Sequence, residues 1–136
     1  MTKVALSGAG GIVGSILRRG LRVRGIDLRA AGGSRSLAPM FDGEDLMQGD
    51  LRDPAVVDRL LAGVDVLIHM AGTSVERPLP EIVENNLRAL YEVYEGARRH
   101  KVRRVVFVVA VVFLSSSSAS PAFWSPGPGS PTVVRP

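Results

Sequence analysis

The feature that most constrains this chain is a glycine pattern set between two different kinds of segment. Gly8, Gly11 and Gly14 form GxxGxxG within Ser7-Gly8-Ala9-Gly10-Gly11-Ile12-Val13-Gly14. Before it, Lys3–Ser7 is an apolar run that reads as a buried strand. After it, residues 11–19 read as a helix ending near Gly20. A strand–glycine turn–helix unit gives each glycine a task. Gly8 permits a tight turn off the strand, Gly11 lets the backbone come close to a pyrophosphate, and Gly14 lets the helix lie close to the sheet. The helix N-terminus then offers free amides and a positive dipole end to an anion. An ordinary left-handed turn is the alternative, because glycine-rich turns are common.

The alternation continues along the chain. Residues 22–27 read as a second strand, 28–43 as a loop, and 46–49 as a short third strand. Pro54–Leu61 reads as a helix with Asp53 as N-cap and Pro54 at the first helical position. Residues 65–70 form a fourth strand and 71–79 a loop. Residues 80–100 form the longest helix, with Ile82, Val83, Leu87, Leu90, Tyr91, Tyr94 and Ala97 on one apolar face, and 104–114 a fifth strand. Strands alternating with helices imply right-handed βαβ units and a parallel sheet, here with expected strand order 3-2-1-4-5.

Composition narrows the function classes. There are 136 residues, enough for one compact domain. The formal charge of +4 comes almost wholly from arginine. The arginines are scattered among acids, and the clusters Arg18-Arg19 and Arg98-Arg99-His100-Lys101 suit helix C-termini, so no nucleic-acid stripe is formed. With no cysteine, disulfides and thiolate metal sites are excluded. The longest apolar run, 105–114, is far short of the ~20 residues a spanning helix needs. No membrane partner and a cytoplasmic location are the expectation.

Three strand ends carry candidate chemistry. Asp27 ends the expected second strand, about 20 residues after Gly8, where an acid binds the ribose hydroxyls of a dinucleotide and repels a 2′-phosphate. That favours NAD over NADP, although Arg24 and Arg29 nearby weaken the preference; an ordinary loop acid is the alternative. Asp50 either reaches an adenine amino group, with Leu51 against the ring, or simply starts a turn. Ala71 and Gly72 leave room for cofactor backbone. His69 reads as a packed or hydrogen-bonded core histidine rather than a catalyst.

These residues together resemble the extended short-chain dehydrogenase/reductases, the NAD-dependent epimerase/dehydratase family. The features are Ser-Gly-x-x-Gly-x-x-Gly at 7–14, Asp27, Asp50-Leu51, Ala71-Gly72 and Asn86 in the long helix. The stretch His69-Met70-Ala71-Gly72-Thr73-Ser74-Val75-Glu76-Arg77-Pro78 is similar to the uronate dehydrogenases, as is the segment from Asn85 to Arg98. The resemblance runs from about residue 3 to 107. It implies a Rossmann-type α/β sheet and NAD as cofactor. It also implies that Gly8, Gly11, Ile12, Gly14, Asp27, Asp50, Leu51, Ala71, Gly72 and Asn86 contact or support that cofactor. Ser74 would face a sugar acid, or be an ordinary loop serine.

The chain departs from the family in one decisive respect. The family's acid/base pair is a tyrosine with a lysine four residues later, whose charge lowers the phenol's pKa. Tyr91 and Tyr94 are followed at that spacing by Glu95 and Arg98, so no such pair occurs. After Phe107 the agreement stops, and Ser115–Ser118 begins a Ser/Pro/Gly-rich stretch without periodicity. The expectation is a truncated NAD-binding domain over 1–114 and a disordered tail over 115–136. Its parent activity is hydride transfer on a sugar or uronic acid, its catalytic residues are absent, and it tends to self-associate. A non-catalytic NAD-binding sensor or partner module is the alternative.

Overall fold

A computed structural model describes residues 1–33, 37–73, 75 and 77–108. Five strands form one parallel sheet: β1 (Lys3–Ser7), β2 (Asp27–Gly32), β3 (Asp45–Gln48), β4 (Val66–His69) and β5 (Arg104–Phe107), in the order β3-β2-β1-β4-β5. The order and the α/β class agree with the expectation. Helices α1 (Ile12–Val23), α2 (Pro54–Leu61) and, later in the chain, α4 (Ala89–Arg99) cover the sheet, while the short α3 (Leu79–Ile82) buries none of its residues. A π-helical turn, Val83–Arg88, joins α3 to α4.

Two cores result, one on each face. On one face Val56, Val57, Leu60 and Leu61 of α2 and Ala89, Val93 and Ala97 of α4 cover Ala5 and Leu67. On the other, Leu17 of α1 covers Leu6, Ala9 and Ala30. Asp53 caps α2 as expected, its Oδ1 accepting the amide of Ala55 at 2.9 Å. Arg99 and His100 each reach Asp58 of α2 at 2.9 Å, so the basic end of α4 is tied to its neighbour.

The second strand requires correction. Of residues 22–27 only Asp27 is in a strand: α1 continues to Val23, and β2 runs from Asp27 to Gly32, through the first residues of the expected loop. The inward positions of α1 are Gly14, Leu17, Arg18 and Leu21, a helical spacing that carries the helix past Gly20. Arg18 is therefore not at a helix C-terminus but in mid-helix, buried and paired with Glu44.

The apolar face of the long helix also differs. Ala89, Val93, Gly96 and Ala97 point inward, while Val83, Leu87, Tyr91 and Tyr94 are exposed. The inward residues are small and spaced three to four apart, and they let α4 lie close to α2, where a Cβ on Gly96 would collide with Val57. The fifth strand is described as Arg104–Phe107. The rest of the expected 104–114 strand past Val108, and the expected tail over 115–136, lie outside the described residues. Among the described residues no helix is long and apolar enough to cross a membrane.

Candidate functional site

The C-terminal ends of β1, β2, β3 and β4 open into a cleft of about 410 Å³. Its floor is the glycine turn. Gly8 has φ +76°, and a Cβ there would stand 2.8 Å from the amide nitrogen of Ala71. Glycine is therefore required both by the left-handed backbone and by the crossing chain after β4. Gly14 is buried, and a Cβ on it would collide with the carbonyl oxygen of Gly8. This contact seats the first turn of α1 directly behind the glycine turn. Gly11 is the N-cap of α1 and Ile12 its first residue, and both are exposed. The amides of that first turn have no intrahelical acceptor, and an anion placed there meets the positive end of the helix dipole.

One wall comes from the end of β3. Asp50 and Leu51 line the cleft, and Leu51 is also part of the core, which fixes the wall's position. Arg52, which the sequence reasoning passed over, grips Asp50 through Nε at 3.0 and 2.9 Å and Nη2 at 2.6 Å. These bonds hold the Asp50 carboxyl below its ordinary pKa range.

The opposite wall is the chain after β4. Ala71, Gly72 and Thr73 line the cleft, and Asn86 stands against Gly72 and holds Thr73. Its Oδ1 accepts the Thr73 amide at 2.6 Å and its Nδ2 donates to the Thr73 carbonyl at 3.1 Å. Asn85 adds a bond to the Thr73 hydroxyl at 3.3 Å. Both asparagines sit in the π-helical turn, a feature that recurs at functional sites. Ser74 lies outside the described residues.

Behind the cleft, His69 is buried and its Nδ1 lies 2.7 Å from the buried hydroxyl of Ser7. Ser7 Oγ in turn accepts the amides of Met70 and Ala71 at 3.2 and 3.4 Å. Burial pushes the imidazole down to about 4. A neutral ring stacked on Phe107 at 5.7 Å is a structural group, as the sequence reading of His69 anticipated.

Asp27 is not brought to this cleft. It opens β2 opposite Lys3, whereas the glycine turn follows Ser7, which is opposite Ala31. Five strand steps of about 3.3 Å separate Asp27 from Gly32, roughly 16 Å. Asp27 borders a separate hollow with Arg18, Arg22 and Asp45. The end of β2 is instead Ala31-Gly32-Gly33, three small residues that line the cleft. Sequence reasoning missed them because the glycine pair reads as a loop, although the helical spacing through Leu21 displaces the strand in their direction. Arg24 and Arg29 are also engaged elsewhere. Arg24 donates to Gly20 O at 3.0 Å. Arg29 pairs with Asp45 at 2.8 Å and donates to the carbonyls of Arg59, Leu60 and Ala62 at the end of α2.

A dinucleotide fits what the cleft offers. The glycine floor leaves no side chain over the turn, α1 follows directly on that turn, and Asn86 and Leu51 fix the two walls. Known proteins agree. Residues 4–130 match the NAD dependent epimerase/dehydratase family. Uronate dehydrogenase of Pseudomonas syringae pv. tomato is 40% identical over 105 residues, which are 77% of this chain and 38% of that protein. Uronate dehydrogenase of Pseudomonas putida is 36% identical over 105 residues, 77% of this chain and 39% of that protein. A mutant of uronate dehydrogenase from Agrobacterium tumefaciens, complexed with NAD, superposes with a TM-score of 0.71 at 36% identity, covering 79% of this chain and 40% of that one. The UDP-glucose 4-epimerase of Thermus thermophilus, also complexed with NAD, has a TM-score of 0.68 at 25% identity, covering 78% and 37%. The chain spans about two fifths of the length of these relatives. With its glycine turn, sheet order and cleft all of one kind, the chain belongs to the NAD dependent epimerase/dehydratase family.

Proposed function

We propose that this chain is the NAD-binding part of an oxidoreductase acting on a sugar or uronic acid, and that these 136 residues bind the cofactor without turning substrate over. The observation that carries the reading is the cleft at the sheet's C-terminal edge, floored by Gly8, the residue from which the chain turns into α1. In it the pyrophosphate lies over Gly8, Gly11 and Ile12, with Gly14 keeping the helix close. The adenine end meets Asp50 and Leu51. The chain from Ala71 to Thr73, with Asn86, borders the nicotinamide half; the family resemblance assigns Ser74 to the sugar acid. When bound, NAD supplies a hydride acceptor; the residues of this chain bind and orient it. The relatives named uronate dehydrogenase support a uronic acid as substrate of the complete enzyme. The absence of Tyr-x-x-x-Lys supports inactivity of the chain alone, since general acid–base catalysis is worth about 10²–10⁴-fold.

Calorimetric titration with NAD tests the binding, expected in the micromolar to millimolar range; folded protein that takes up no NAD overturns it. Incubation with NAD and galacturonate or glucuronate tests the rest, with no NADH above background expected. Turnover by the purified chain would show that another residue serves as base.

The same reading includes self-association. Leu87 and Tyr91 stand exposed on one side of the long helix, and Phe107 of β5 is 45% exposed. Exposed apolar surface of this kind favours burial against a second copy. Light scattering is expected to give a mass above that of one chain, and a stable monomer overturns this part.

A further inference from the structure

We infer that the cleft does not reject a 2′-phosphate, so that it accepts NADP alongside NAD. The inference rests on reading the cleft as a dinucleotide site and concerns the ribose at its adenine end. In sheets of this kind the end of β2 carries an acid that binds the ribose hydroxyls and repels a 2′-phosphate. Here that position is Ala31-Gly32-Gly33, and Asp27 stands at the other end of the strand. No described residue stands within 4 Å of a Cβ added to Gly33, so none of them fills the space an acid would take. Among the described residues lining the cleft, Asp50 is the only carboxylate, and Arg52 neutralises it in a two-toothed ion pair. Nothing described on that wall therefore presents an uncompensated negative charge to a phosphate. An acid at that position favours NAD twice, by bonding the ribose hydroxyls and by repelling the phosphate, and Ala31-Gly32-Gly33 supplies neither.

The test is titration of the full chain with NAD and with NADP, and with AMP and adenosine 2′,5′-bisphosphate as probes of the adenine end alone. Affinities for the phosphorylated and unphosphorylated member of each pair are expected to lie within about tenfold, or to favour the phosphate. Preference for NAD and AMP by more than about tenfold overturns the inference while leaving the dinucleotide reading standing. Binding of none of the four overturns both. Gly33→Asp then supplies the missing charge and is expected to weaken NADP relative to NAD by at least about tenfold, with Gly33→Asn, the same size without charge, leaving the ratio unchanged. An unchanged ratio in a folded Gly33→Asp protein, judged by circular dichroism, shows that Gly33 does not face the ribose and overturns the inference.

Discussion

Ser7 Oγ and His69 Nδ1 stand 2.7 Å apart at the paired ends of β1 and β4, both buried. Because Ser7 Oγ already accepts the amides of Met70 and Ala71, its proton goes to Nδ1, and the neutral ring carries its own proton on Nε2. The pair thus fixes the tautomer of the histidine and the first two residues of the cleft wall together.

A pH dependence follows. The folded-state pKa of His69 is lowered from 6.5 to about 4 by burial. The unfolded chain therefore takes up a proton between pH 6.5 and about 4 that the folded chain refuses. Stability is full above 6.5 and falls as pH drops through that window. The loss is on the order of 3 kcal/mol. Urea unfolding at pH 4.5 and 7, compared with His69→Gln, isolates it: the variant is expected to show a smaller difference between the two pH values. Equal pH slopes for the two proteins refute the assignment.

Ser7→Ala removes the acceptor of two amides and the donor to a buried ring. Leaving buried polar groups unpaired costs about 1–3 kcal/mol each, and since the Met70 amide alone keeps a second acceptor, the Ser7 carbonyl, a loss of at least that size is expected from denaturant melts. A double-mutant cycle with His69→Phe should give a coupling of about 0.5–3 kcal/mol. Additive effects would mean that the bond contributes nothing.

How much of this was legible in the residues alone differs from element to element. The glycine turn and the capped helix Pro54–Leu61 were, because each rests on local chemistry, and so was the sheet order, because right-handed crossovers leave few alternatives. The start of β2 was not. Its residues are Asp27-Leu28-Arg29-Ala30-Ala31-Gly32, and Arg29 is sustained there by Asp45 and the carbonyls of α2, partners distant in sequence. Misplacing that strand put Asp27 at the wrong end of the sheet. The π-helical turn was equally hidden, since it is defined by backbone spacing and not by a residue type. The inward face Ala89-Val93-Gly96-Ala97 was hidden too, because its small residues are selected by close approach to Val57 and Leu61 of α2, distant in sequence.

Arg18 and Glu44 join mid-helix α1 to the segment before β3, and their side chains are 3% and 9% exposed. Burial raises the Glu44 pKa, but bonds from Arg18 and the amides of Met40 and Phe41 more than offset this and hold it low. Glu44→Ala strands the buried guanidinium and is expected to cost about 3–5 kcal/mol in chemical denaturation. The double variant Arg18→Met, Glu44→Leu removes both charges and is expected to cost less than Glu44→Ala alone. A larger loss in the double variant would show that the pair acts through more than mutual neutralisation.

Asn86 offers the sharpest probe of the cleft, because its two side-chain atoms make opposite bonds to one residue. Oδ1 accepts the Thr73 amide and Nδ2 donates to the Thr73 carbonyl. Asn86→Ala loses both bonds, at about 0.5–1.5 kcal/mol net each, and frees the wall that borders the cofactor. Weaker NAD binding is expected along with the stability loss. Asn86→Asp keeps the acceptor but sets a carboxylate oxygen against the Thr73 carbonyl, so at pH 7 it should be no more stable than Asn86→Ala. Protonating that carboxyl restores a donor to the carbonyl. The gap between Asn86→Asp and Asn86→Ala should therefore move in favour of the aspartate as the pH falls toward the carboxyl's range, about 4. Thermal melts of the two variants, paired at each pH, read this directly. An aspartate variant that holds at pH 7 and gains nothing in acid would mean that the Thr73 carbonyl does not depend on Asn86 for its partner, and that the wall is held by the amide bond alone.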